Sequence, residues 1–173
     1  MSNWLRTALV TIVLLAATLT AGVAQAGVRE LDLLSSYIGD WRGEGALVGG
    51  DQPEPFRCRL SVAQGNPLKI NYTGRCSLVN ATLSISGTIA FNDEAGRYEA
   101  AMSSNAGYTG LAIGRQSGST ISFDLREQQK DRAGGDVRIG ARIILVNDRI
   151  TVDFEVEFNN SGEVLTASVP FDR

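Results

Sequence analysis

From residue 41 to residue 170, apolar and polar residues alternate with period two, and Gly, Asn or Asp breaks the alternation about every ten positions. Successive side chains of a strand point to opposite faces, so this pattern makes strands with one apolar side and one solvated side. Ile150, Val152, Phe154, Val156 and Phe158 alternate with Thr151, Asp153, Glu155 and Glu157. Leu83, Ile85, Ile89 and Phe91 alternate with Thr82, Ser84, Ser86 and Thr88, and Ile121, Phe123 and Leu125 with Ser122, Asp124 and Arg126. The alternation predicts strands at 40–48, 56–64, 68–78, 81–91, 96–104, 108–115, 119–127, 136–146, 149–158 and 163–170. Between them lie segments such as Gly49-Gly50-Asp51, Asn92-Asp93-Glu94, Asn147-Asp148 and Asn159-Asn160-Ser161-Gly162. These residue types tolerate the positive φ of tight hairpins. Short connections make sequential strands neighbours, and closing such a sheet removes its exposed edges. The expected fold is therefore all-β: a single antiparallel up-and-down β-barrel of about 8–10 strands. A short helix-like segment carrying Leu31, Leu33, Leu34 and Ile38 precedes it.

Two stretches depart from clean alternation. Ile143-Ile144-Leu145-Val146 is apolar on both faces, which calls for a covered outer side or a bulge. Arg126 to Asp136 is the most charged stretch and reads as a loop, either simply solvated or a mobile flap at a cavity mouth.

The first residues set an expected compartment. One positive charge, Arg6, precedes an uncharged apolar run from Thr7 to Val23, and Ala24-Gln25-Ala26 is a small-x-small cleavage site. That is the pattern of a secretory signal peptide, with cleavage after Ala26 and a periplasmic or secreted product. Removing 26 of the 173 residues leaves 147, one domain at 27–173, and moves the formal net charge from −3 to −4. A mildly acidic domain without a basic run is poorly suited to nucleic acid. No transmembrane segment is expected in the mature chain.

Cys58 and Cys76 lie symmetrically about a turn at Gly65-Asn66-Pro67. Hairpin pairing around that turn sets them face to face, close to disulfide distance, and an oxidising compartment favours the bond.

The chain contains no histidine. Ser-His-Asp and Cys-His catalysis and histidine ligation of metal are thereby excluded. The acidic row Asp153, Glu155, Glu157 is a flat row rather than a convergent oxygen site, and Arg57, Arg59 and Arg75 either pair with it or face an anionic partner. No catalytic residues, metal site or cofactor are expected, and the protein reads as a non-enzyme. The interior remains as a candidate site. By face, its lining would include Leu60, Tyr72, Ile85, Tyr98, Met102, Ile113, Phe123, Ile139, Phe154 and Val156, with Gly74 and Gly87 leaving room. The same residues would serve an apolar ligand cavity or a fully packed core. In the first case the partner is a small hydrophobic ligand; in the second the barrel is an interaction module meeting an envelope protein partner.

Gly39-Asp40-Trp41, placed after the helix-like segment and before the first strand, resembles the Gly-x-Trp signature of the calycin group: lipocalins, fatty-acid-binding proteins and nitrobindin-like barrels. The wider run Gly39 to Gly45, with about ten strands after it, looks most like the nitrobindin-type or fatty-acid-binding barrel. The resemblance implies that Trp41 packs across the closed end and that the lumen takes a small hydrophobic ligand. Nitrobindins hold haem through a histidine, so the resemblance does not extend to haem bound by that route.

Overall fold

The computed structural model describes residues 26–130 and 134–173. The expected signal sequence lies outside the described residues, apart from its last residue. Helix α1 (Ala26–Ser35) is followed by ten strands: β1 (Gly39–Leu47), β2 (Glu54–Asn66), β3 (Lys69–Ser77), β4 (Thr82–Asn92), β5 (Arg97–Ser104), β6 (Thr109–Ser117), β7 (Thr120–Lys130), β8 (Asp136–Val146), β9 (Arg149–Phe158) and β10 (Val164–Asp172). Each pairs antiparallel with its sequence neighbour, and β10 returns to β1 to close the barrel. This is the expected up-and-down topology with a short N-terminal helix.

Closure depends on two glycines. Gly43 lies opposite Phe171 across the β1–β10 seam. A Cβ at Gly43 would stand 2.7 Å from the Pro170 carbonyl oxygen, and one at Gly45 would stand 2.9 Å from that of Ser168. Any side chain at either position would push β10 off β1. Gly39 has φ of 145°, a conformation that L side chains rarely adopt, and it carries the chain from the helix end into β1. The β8–β9 hairpin turns on Asn147 and Asp148, both with positive φ, as two-residue hairpins of matching twist require.

One end of the barrel is capped. Leu34, Tyr37 and Trp41 are buried at 0–2% exposure, and α1 packs on β3 and β4. Trp41 Nε1 donates to the Tyr37 carbonyl at 3.0 Å, its ring stacks with that of Tyr37, and the Arg173 guanidinium sits 4.6 Å from the ring centroid. Beside this plug Tyr98 is edge-on to Phe91 and Phe123, and its hydroxyl bonds Gln116 Oε1 at 3.2 Å. The opposite end is ringed by the β1–β2, β3–β4, β5–β6 and β9–β10 turns, with the end of β7 at Lys130 and the start of β8 at Asp136.

Outward positions are charged and cross-paired. Arg142 bonds Asp124 at 2.7 Å, Arg138 bonds Glu157, and Ser168 bonds Asp153. Apolar-in and charged-out is the reverse of the alternation in membrane-spanning barrels. Two members of the acidic row of β9, Asp153 and Glu157, are thus engaged by β10 and β8. The arginines of the disulfide hairpin do not meet it: Arg57 pairs with Glu44 at 3.0 Å, while Arg59 stands directly between Arg42 and Arg75 on neighbouring strands.

The stretch read as a charged loop at 126–136 is mostly sheet. β7 continues to Lys130, with Arg126 opposite Gly140 and Lys130 opposite Asp136. Polar residues on both faces conceal the period-two pattern there. Asp131, Arg132 and Ala133 lie outside the described residues. Ile144 and Val146, on the outer side of the all-apolar segment, are half-buried.

Candidate functional site

Inside the barrel is a cavity of about 460 Å³, apolar along its length, running from Tyr37 and Phe171 beside the plug to Leu78, Ala106 and Tyr108 at the open end. It exists because small residues hold the inner wall where bulk would otherwise fill it. Gly74 and Ala167 line it, with Ala141 facing in from β8. The disulfide joins Cys58 and Cys76 at directly opposed positions with Cα atoms 4.0 Å apart, and both cysteines form part of the cavity wall. A bridge closing a loop of this length stabilises by about 3 kcal/mol in the chain-entropy account.

The sequence-derived lining residues divide into three groups. Leu60, Tyr72, Ile85, Met102, Phe154 and Val156 come together around the cavity. Tyr98, Phe123 and Ile139 face inward and are buried but stand away from it. Tyr98 and Phe123 belong to the capped end, and Ile139 packs with Val137 and Val156. Gly87 does not open space either, because the Tyr72 ring lies where its Cβ would be, 2.5 Å from the ring carbon that bears the hydroxyl.

Ile113 is a correction. It is 51% exposed on the outer face, opposite the exposed Asp124, and Leu111 beside it is 77% exposed. The inward positions of β6 belong to Gly110, Ala112 and Gly114. A Cβ at Gly114 would lie 2.4 Å from the Phe123 ring, and one at Gly110 2.6 Å from a Leu125 methyl. Side chains from β7 occupy the room that β6 leaves. Hydrophobicity alone assigns β6 the wrong way round; the Gly-x-Ala-x-Gly spacing was the available signal.

The polar groups that face into this cavity are few and, among the described residues, uncharged. Tyr72 Oη donates to the Ala101 carbonyl at 3.3 Å, and burial pushes its pKa up to about 12. At the open end Ser104 Oγ accepts the Tyr108 amide at 3.2 Å, and Asn105 bridges Thr82 and Ser84 on β4 at 2.9 Å each. Phe56, Val62, Ile70, Leu83 and Val152 also line the cavity, positions that parity makes available but that hydrophobicity does not distinguish from packed core. Among the described residues no three His, Cys, Asp or Glu side chains converge on a metal position.

The chain superposes on the crystal structure of Rv2717c from M. tuberculosis with a TM-score of 0.64 and 16% identity, covering 87% of this chain and 98% of that one. It is also similar to the S-type phycobiliprotein lyase CPES from Guillardia theta, with a TM-score of 0.52 and 16% identity over 88% of this chain and 96% of that one. At such identities the likeness is one of fold alone, a closed antiparallel up-and-down barrel, which fits the barrel architecture that the Gly39-Asp40-Trp41 resemblance implied. No protein-family model matches the chain, and the search of curated proteins found no match.

Proposed function

We propose that this is an exported, non-catalytic barrel that binds or carries a small apolar, lipid-like molecule in its interior. The observation that supports this most is the cavity: about 460 Å³, within the roughly 300–1,000 Å³ of small-molecule sites, with an apolar wall and few polar groups. A filled barrel acting as an envelope interaction module would bury those side chains against one another, so an open lumen weighs against it. Export is supported by the charged-then-apolar leader, its small-x-small site, and a disulfide of the kind that persists in oxidising compartments. The sequence has no histidine, and the described residues that line the cavity bring no nucleophile and base together, which supports carriage without chemistry.

The test is native mass spectrometry of residues 27–173 purified from the envelope fraction of the native host, followed by organic extraction. A reproducible bound mass of lipid character, released on denaturation, is the expected result. Bare protein that also takes up nothing from a panel of fatty alcohols, fatty acids and isoprenoids would overturn the reading.

A further inference from the structure

The cavity wall has a charge pattern that restricts what its ligand can be. Among the described residues that line it, Arg59 alone carries a charge, and the alternation that turns Cys58 and Leu60 inward leaves Arg59 exposed on the outside. The other polar residues among the described lining are Tyr72 and Ser104, with Tyr37 beside the plug and Thr82, Asn105 and Tyr108 toward the open end; none of them carries a charge at neutral pH. Tyr72 spends its proton on the Ala101 carbonyl, so its oxygen is left as an acceptor for a donor on the ligand.

The open end adds to this. The described residues of its turns and strand ends carry carboxylates at Asp51, Glu54, Asp136 and Glu163. Their one cation, Lys130, is paired with Asp136 at 2.8 Å. Glu127 has the same parity on β7 as Phe123 and Leu125 and brings a further negative charge to the inner side. Among the described residues an anionic headgroup would therefore find no counter-charge in the lumen and repulsion at its entrance, and a buried charge without a partner is costly.

Resting on the ligand-binding reading above, we infer that the lumen selects a lipid whose polar end is uncharged, such as an alcohol, ester or amide, and discriminates against carboxylates of the same chain length. An anionic lipid enters only after taking up a proton. With a carboxyl pKa of about 4.3, roughly one molecule in 500 is protonated at pH 7, so a fatty acid should bind about 10²–10³-fold more weakly than the matching alcohol. Its affinity should rise about tenfold for each unit of pH lowered.

The experiment is direct calorimetric titration of the 27–173 protein with 1-dodecanol and with dodecanoate at pH 6, 7 and 8, below their aggregation concentrations. The expected result is pH-independent alcohol binding, weaker acid binding at pH 7, and an acid affinity about 100-fold tighter at pH 6 than at pH 8. Ser104→Arg places a cation on the inner wall near water. It should raise dodecanoate affinity at pH 7 at least tenfold relative to that of 1-dodecanol and flatten its pH dependence; an unchanged acid-to-alcohol ratio would count against the charge selection. Equal binding of acid and alcohol at all three pH values would overturn the charge selection and leave the ligand-binding reading standing. Binding of neither would overturn that reading and this inference with it.

Discussion

Trp41→Phe separates the plug from the cavity. Trp41 is 1% exposed, donates its indole N–H to the Tyr37 carbonyl at 3.0 Å, and carries Arg173 above its ring. Phenylalanine keeps the aromatic stack but leaves a buried acceptor without its donor, at about 1–3 kcal/mol. Loss of the larger π-face weakens the cation–π contact by a fraction of about 0.5–1 kcal/mol. The smaller ring also leaves a void, at part of the roughly 3–5 kcal/mol that full truncation of an aromatic costs. Together these destabilise by about 2–4 kcal/mol, which for a domain of this size lowers Tm by roughly 6–12 °C. Differential scanning calorimetry of the 27–173 protein at pH 7 reads that shift. Trp41 does not line the cavity, so alcohol affinity, measured by titration well below Tm, should change less than about twofold. A variant as stable as the parent, or one that keeps its stability and loses its ligand, would refute the assignment of Trp41 to the plug.

Three further predictions test other parts of the structure. Cys58→Ala with Cys76→Ala should destabilise by about 3 kcal/mol, read as a lower denaturation midpoint with a somewhat larger m-value because the unfolded chain expands, and the parent under reducing conditions should match the variant. Leu111→Ser with Ile113→Ser should move stability by no more than about 0.5 kcal/mol and leave ligand affinity alone, because both side chains face water; a loss of several kcal/mol would return Ile113 to the interior. Stability should fall at alkaline pH. Burial holds the Tyr72 and Tyr98 hydroxyls protonated up to about pH 12, whereas in the unfolded chain they ionise near 10. Between those values the unfolded state binds fewer protons, so stability is intact below about pH 10 and declines toward 12. Tyr72 alone accounts for about 2–3 kcal/mol of that decline, and Tyr72→Phe should flatten the loss in urea titrations across the range. A curve as steep in the variant would show that Tyr72 is not the group responsible.

How far the sequence carries depends on how local each cause is. Turn positions were legible because Asn147-Asp148 or Gly162 meets its φ requirement whatever the rest of the chain does. The pairing of Cys58 with Cys76 followed from hairpin symmetry in the same way, since register around one turn is local geometry. The ten strands, their antiparallel order and the entry at Gly39-Asp40-Trp41 were available on the same terms. Where alternation lost contrast, the sequence misled. Both faces of β7 beyond Leu125 are polar, so a strand passed for a loop.

Parity on β6 and the state of the interior were decided only by the tertiary structure. Leu111 and Ile113 are the large apolar residues of that strand, yet Phe123 and Leu125 reach across from β7 into the space they would need. Which strand supplies the bulk at a given level is settled between neighbours, and no single strand encodes it. Whether the lumen is filled depends in turn on how ten walls close: Gly43 and Gly45 admit β10 against β1, and the remaining inward side chains fall short of the centre by about 460 Å³. Composition by face therefore left a packed core and a cavity equally open, because the difference lies in the width of the closed barrel rather than in the identity of the residues that line it.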